Sequence, residues 1–300
     1  MILVAGLLNI ETTLQIDGFP LPYFPVRYPF FGVRSTVSGV GYNVAKALHT
    51  LGHEARLLSL LGCDLNAQVI RQEMHTNGIS DEYTLARLEQ TPQSVILYDG
   101  SGQRQIHVDL KNIQETAYPE AEFDALLPHC SLAALCNINF ARPLLHKARQ
   151  AGKLIATDVH AISDLDDPYN ADFMRAADIL FMSHERLPAA PEDWARQVQE
   201  RYGTEIIVIG LGAEGALLAV KRDRSMQRFA ARRLRAVVNT IGAGDALFSA
   251  FIHGYSTHKA PYEALRQAML FAAWKIGANG AAEGFLSAEE LRQRMREAEA

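Results

Sequence analysis

Residues 239–245, Asn-Thr-Ile-Gly-Ala-Gly-Asp, carry the strongest chemical signal in this 300-residue chain. Three small residues, Gly242, Ala243 and Gly244, run into Asp245, and an apolar series (Ala246, Leu247, Phe248, Ala250, Phe251, Ile252) follows at helical spacing. A turn with so little side chain at a helix start exposes unpaired backbone N–H groups at the positive end of the helix dipole. Such a place attracts a phosphate or a developing phosphoryl charge. A carboxylate fixed beside it can take a proton from an attacking hydroxyl. Anion cradle and adjacent base together are what phosphoryl transfer requires.

Three further motifs have types and spacings suited to binding. Ser38-Gly39-Val40-Gly41-Tyr42-Asn43 runs into an apolar helical pattern; its glycines let backbone approach a ligand, and Asn43 offers donors and an acceptor on the first helical turn. Taken alone, an ordinary glycine turn with a capping Asn explains it more simply. Gly210-Leu211-Gly212-Ala213-Glu214-Gly215 matches the dinucleotide fingerprint by letter. That fingerprint needs a helix after it and an acidic residue about 20 positions on. Here Ala216–Val220 looks like a strand and Arg233–Arg235 occupy the acidic position, so the motif reads as strand–turn–strand, a hairpin able to lie close to nucleotide phosphates. Asn9-Ile10-Glu11 follows the first apolar run, and Asn137, Asn139 and Asp158 follow two later ones. Polar side chains at the carboxyl ends of buried strands point into the ligand crevice of an open α/β sheet. Each alone could equally stabilise a loop, but several together favour a hydroxyl-rich ligand. His53-Glu54 and His184-Glu185 lack the second His of a zinc helix, and there is no G-x-S-x-G elbow.

The elements that must position these groups alternate. Apolar runs at 2–8, 56–61, 131–136, 153–158, 178–182 and 205–210 are continuous enough for strands covered on both faces. Helical periodicity fits 41–51, 65–77, 141–151, 192–202, 244–257, 261–277 and 288–298, the last opened by a Ser287/Glu290 capping box. That alternation predicts a doubly wound α/β layer structure with a mostly parallel sheet. Two segments break the rhythm. Residues 12–36 hold Pro20, Pro22, Pro25 and Pro29 among many aromatics, and 94–109 read as a hairpin turning at Asp99-Gly100-Ser101-Gly102. They are either two decorated loops or a small sheet closing a cleft, which would exclude water from a migrating phosphoryl group.

Composition removes several function classes. A net charge of −5 argues against a nucleic-acid binder that works by phosphate neutralisation. The basic stretch from Lys221 to Arg235 alternates with apolar residues as a sheet edge with one wet face would; an anionic-ligand patch is the alternative. Three cysteines without metal spacing suit a reducing cytoplasm. The apolar start, Met1–Leu8, lacks a basic leader and reads as a buried strand, and no apolar run approaches the roughly 20 residues of a membrane span.

Together the motifs resemble the PfkB, or ribokinase-like, family of carbohydrate and nucleoside kinases along the whole chain. The resemblance runs from Asn9-x-Glu11 through 38–43 to Gly242-Ala243-Gly244-Asp245. It implies a single three-layer α/β/α domain over 1–300, with a β lid built from about 12–36 and 94–109. It implies ATP and magnesium and a small sugar or nucleoside acceptor; lid sheets of the family often pair between two subunits, which the aromatic 19–31 segment would suit, and a monomer with a folded-down flap is equally allowed. By the same resemblance Asp245 is the general base and Gly242, Ala243 and Gly244 the anion hole. Gly210, Gly212, Gly215 and Asn279 lie along ATP. Asn9, Glu11, Gly39, Gly41, Asn43, Asp109 and Asn137 are on the acceptor side. Within the family, Gly39–Ala45, Cys136-Asn137-Ile138, Asp109 with Asn112-Ile113, and Asn239 look most like pseudouridine kinases, which points to a ribonucleoside; ribose, a sugar acid such as 2-keto-3-deoxygluconate, or a non-catalytic sensor on the same scaffold are the alternatives. Four departures bear on this. Glu11 replaces Asp, Ser38 a Gly, and Val40 a Lys. Asn239 replaces the commoner Asp near the family's monovalent-cation site, which argues against potassium activation. Ser183-His184-Glu185-Arg186 stands at the magnesium-assisting element, leaving Glu185 as its carboxylate.

Overall fold

The computed structural model describes residues 1–299. In chain order its strands are β1 (Ile2–Ala5), β2 (Asn9–Gln15), β3 (Val33–Ser38), β4 (Ala55–Leu61), β5 (Thr84–Ala86), β6 (Gln93–Tyr98), β7 (Arg104–Asp109), β8 (Leu132–Leu135), β9 (Leu154–Asp158), β10 (Ile179–Ser183), β11 (Ile206–Gly210), β12 (Gly215–Val220) and β13 (Ser225–Ala230). Its helices are α1 (Val40–Thr50), α2 (Leu65–Thr76), α3 (Glu120–Leu126), α4 (Arg142–Gln150), α5 (Ala171–Ala176), α6 (Pro191–Tyr202), α7 (Ala243–His258), α8 (Pro261–Lys275) and α9 (Ala288–Glu299). A nine-stranded sheet runs β13-β12-β11-β10-β9-β8-β1-β4-β5, parallel from β5 to β11 and antiparallel at β12 and β13. The order reverses at β1, flanked by β4 and β8, which is where an open α/β sheet parts its loops into a crevice.

Period-two alternation explains the three layers. On β11, Ile206 and Val208 pack with α1, α2, α7, α8 and α9, while Ile207 and Ile209 pack with α3, α4, α5 and α6. Both faces are buried, so the runs read as unbroken apolar stretches.

The run 2–8 is not one strand. It ends at Ala5, crosses at Gly6–Leu8, and re-emerges as β2 in a second sheet ordered β3-β2-β6-β7. Those residues are apolar because they lie under the start of α1: the Gly41 amide donates to the Leu7 carbonyl at 2.9 Å. A Cβ on Gly41 would come within 2.5 Å of the Gly6 carbonyl carbon, so only glycine permits the crossing. The second sheet is the lid. Its 94–109 hairpin forms as read, turning where Asp99 Oδ1 accepts from the Ser101 and Gln103 amides at 2.9 and 3.1 Å. The proline-rich 12–36 segment yields strands only at its ends, with an exposed strap between. The short α3, α5 and β5 were not legible, being held by packing more than by pattern.

Candidate active site

Asp245 sits in the first turn of α7, whose N-cap Gly242 adopts φ 74°. A side chain there would be strained, and its Cβ would meet the Ala281 carbonyl at 2.5 Å. Ala243 donates its amide to the Thr240 carbonyl at 3.2 Å, so the amides left to face a ligand are those after it, of Gly244 and Asp245. Gly244 is exposed, with nothing within 4 Å of where a Cβ would be. The helix mouth is therefore open, flanked by one carboxylate.

That carboxylate is tied to the lid. Asn43 Nδ2 donates to Asp245 Oδ2 at 2.7 Å, and the Ser38 hydroxyl lies 3.3 Å from Asn43 Oδ1 and 3.1 Å from Glu11 Oε2. Residues of β2, β3, α1 and α7, some 200 positions apart in sequence, form one polar line. Burial raises the Asp245 carboxyl above its ordinary range and Asp158 adds to this; the Asn43 hydrogen bond, His160 and Lys275 oppose it. Burial likewise pushes Glu11 up to about 7, against the pull of the Ser38 hydrogen bond. Asn9 Oδ1 and Glu11 Oε1 are buried without a donor, although Asn9 gives its own amide hydrogen to Ser94 Oγ at 3.1 Å. The two residues are alternate members of β2 and so share a face.

On the other side, β11 and β12 pair antiparallel around a short 3-10 turn at Gly212–Glu214, the strand–turn–strand arrangement that sets the Gly210-x-Gly212-x-x-Gly215 motif apart from a dinucleotide fingerprint. Asn239 hydrogen-bonds the Asn279 carbonyl at 2.8 Å and the Ile241 amide at 3.0 Å, joining the loop before α7 to the loop after α8. Glu185 is exposed on the turn after β10, with Arg104 of the lid 3.7 Å away. Arg104 also donates to Thr240 Oγ1 at 2.8 Å, while Ile96 and Tyr98 of the lid pack on Ile241 and Ala281. The lid thus rests on the loops that lead into α7.

Not every expected residue joins the cluster. Asp109 is exposed on the outer face of the lid, because it alternates with Val108, whose partner Ser94 shares the inner face with Glu11; Lys111 holds its carboxylate. Asn137 lies beyond β8 and donates to Asn170 Oδ1 at 2.9 Å. Gly39 and Gly41 serve the tight crossing of 6–8 against α1. One residue was missed: Lys275, fully buried at the end of α8, donates to the Ile241 carbonyl. Its signal was present, since Ala264, Ala268, Phe271 and Lys275 are spaced four, three and four apart on one helical face, but a lysine in a last turn reads as an exposed dipole partner.

The chain resembles known proteins in sequence and in fold. The family described as pfkB family carbohydrate kinase matches residues 1–288. An acarbose 7(IV)-phosphotransferase of Actinoplanes sp. is 28% identical over 258 residues, covering 85% of this chain and 84% of the relative. A pseudouridine kinase of Escherichia coli is 24% identical over 72% of each chain. The solved structure of a microbiome-derived acarbose kinase, Mak1, superposes with a TM-score of 0.86 at 25% identity over 97% of both chains. The chain therefore belongs to the pfkB family of carbohydrate kinases, phosphotransferases that act on an alcohol group of a sugar or nucleoside.

Proposed function

We propose that this kinase transfers the γ-phosphoryl group of ATP to a primary hydroxyl of a small ribosyl compound, with a nucleoside such as pseudouridine as the leading acceptor. One observation carries the reading: the line Asp245–Asn43–Ser38–Glu11 ends in the buried acceptor Glu11 Oε1, which lacks a donor, and Asn9 Oδ1 on the same face of β2 is a second such acceptor. Buried acceptors without donors are costly, and neighbouring hydroxyls on one edge of a sugar ring would satisfy both. The acceptor's reactive hydroxyl would then approach Asp245 to roughly 2.6–3.2 Å, the reach of a general base. The Gly244 and Asp245 amides would meet the migrating phosphoryl group, with Gly210, Gly212, Gly215 and Asn279 along the nucleotide.

Kinases of this family use ATP with magnesium in general. Among the described residues no three or more His, Cys, Asp or Glu gather as a cage. The set present, an exposed Glu185 carboxylate near the lid, fits a magnesium ion carried mainly by phosphates and water. When bound, that ion would neutralise charge on the triphosphate.

A second reading has its own support. The strap between β2 and β3 exposes Tyr23, Phe24, Tyr28, Phe30 and Phe31, and two relatives act on acarbose by name. Aromatic faces beside a cleft suit a larger glycoside. ADP release measured over ribonucleosides including pseudouridine, ribose, 2-keto-3-deoxygluconate and acarbose separates these. The highest kcat/KM on a ribonucleoside is expected. Preference for acarbose or a free sugar would replace the proposed acceptor, and binding without ADP release would mean a sensor.

A further inference from the structure

Lys275 is a cation where the fold has every physical reason not to put one. Its side chain is 0% exposed, on the apolar face of α8 that packs against α7. Among the described residues it forms no ion pair within 4.0 Å, and its hydrogen bond goes to a neutral carbonyl, that of Ile241. An ammonium taken out of water and given one dipole for a partner is expensive to keep. Such a group persists when something nearby needs its charge.

Two things nearby do. Ile241 immediately precedes Gly242, the left-handed residue that turns the chain into α7. The Ile241 amide is already held by Asn239 Oδ1 at 3.0 Å, so Asn239 and Lys275 fix both of its peptide groups. Val238 and Asn239 also donate to the Ile276 carbonyl at 2.9 and 3.3 Å, stitching the end of α8 to the same loop. The turn that aims the Gly244 and Asp245 amides is thus clamped from α8. The ammonium also lies in the field of two carboxylates, half-buried Asp245 from α7 and buried Glu11 from β2, with Glu283 adding to them and Arg235 opposing. Burial lowers its pKa to about 8, which leaves it charged at neutral pH.

We propose that Lys275 is a positioning residue for phosphoryl transfer: a covalently built-in monovalent cation that grips the Ile241 carbonyl and so sets the turn into α7. A soluble monovalent metal ion then has no work left at that carbonyl. The inference rests on Asp245 and its turn being the phosphoryl site.

The test compares the full-length parent with Lys275→Met and Lys275→Ala. Methionine roughly keeps the length of the side chain and removes a buried ammonium that has no ion-pair partner, relieving its desolvation cost while leaving the Ile241 carbonyl without its donor. The expected result for Lys275→Met is a melting temperature no lower than the parent, kcat reduced by about tenfold or more as the turn loses its aim, and KM for ATP and acceptor little changed. The acid limb of its kcat profile should move to higher pH, because burial and Asp158 raise the Asp245 carboxyl and only Asn43 and His160 would remain to oppose them. Propylammonium should restore part of the turnover of Lys275→Ala, and replacing potassium by tetramethylammonium should leave the parent unchanged. The inference is overturned if Lys275→Met turns over within about twofold of the parent, if neither variant folds, if alkylammonium restores nothing, or if the parent requires potassium. Asp245→Asn separates the two levels: if it keeps parental turnover, the site assignment fails; if it is inactive while Lys275→Met is not, only the role of Lys275 fails.

Discussion

Asp245 and Glu11 are both carboxylates withdrawn from water, yet their hydrogen bonds differ, and so do the consequences. Asp245 accepts from Asn43 at 2.7 Å, which orients one oxygen and leaves the other for the acceptor hydroxyl. Asp245→Asn should therefore cut kcat by about 10²–10⁴, the usual contribution of a general base, while acceptor affinity measured by calorimetry stays near parental. Glu11 titrates at about 7 in the folded protein, against 4.5 for a glutamate side chain in water. A carboxyl raised on folding contributes stability that is complete below about 4.5 and is lost as pH rises through 7, on the order of 3 kcal/mol. Glu11→Gln should consequently melt above the parent at pH 8, with the difference closing below pH 4.5. Equal melting curves at pH 8 would show that Glu11 is not buried as described. Acceptor KM in the parent should rise as pH falls below about 7, because a protonated Glu11 loses the charge that strengthens hydrogen bonds from sugar hydroxyls.

At the scale of elements, the site is a meeting of helix ends. The start of α7 supplies amides and Asp245, the start of α1 supplies Asn43, and the end of α8 supplies Lys275. Gly244 tests the role of the α7 mouth cleanly, since a Cβ there meets open space and folding should survive its replacement. Gly244→Val would fill the volume over the first-turn amides. Turnover should fall by about 10²-fold or more, the scale of a lost anion-hole donor, with a smaller change in acceptor KM. Unchanged kcat would remove these amides from the reaction.

Across the whole molecule, the strap between β2 and β3 is the most apolar stretch of exposed surface among the described residues. Leu21, Tyr23, Phe24, Val26, Tyr28, Phe30, Phe31 and Val33 are 48–103% exposed along one strap, more contiguous apolar surface than a monomer ordinarily presents to water. If lids pair between two copies, light scattering will give twice the chain mass, and Tyr28→Ser with Phe30→Ser will return the monomer. A monomeric parent would leave the strap to the acceptor, where the same double variant should weaken binding of large glycosides only.

Much of this protein was legible one-dimensionally because its signals are local. The Gly242–Asp245 turn, the capping box at Ser287 and Glu290, the strand–turn–strand character of 210–220 and the 94–109 hairpin each depend on neighbours within a few residues. The buried strands were legible because parallel sheets covered on both faces demand unbroken apolar runs. Only tertiary structure decided that the run 2–8 splits between two sheets, that Asp109 faces away from the site, and that Lys275 lies beneath it. Each of those depends on which distant backbone lies alongside: Gly41 against Gly6, β7 against β6, and α8 against the loop at Ile241. A lysine looks the same in sequence whether its ammonium meets water or a carbonyl, and the fold alone determines which.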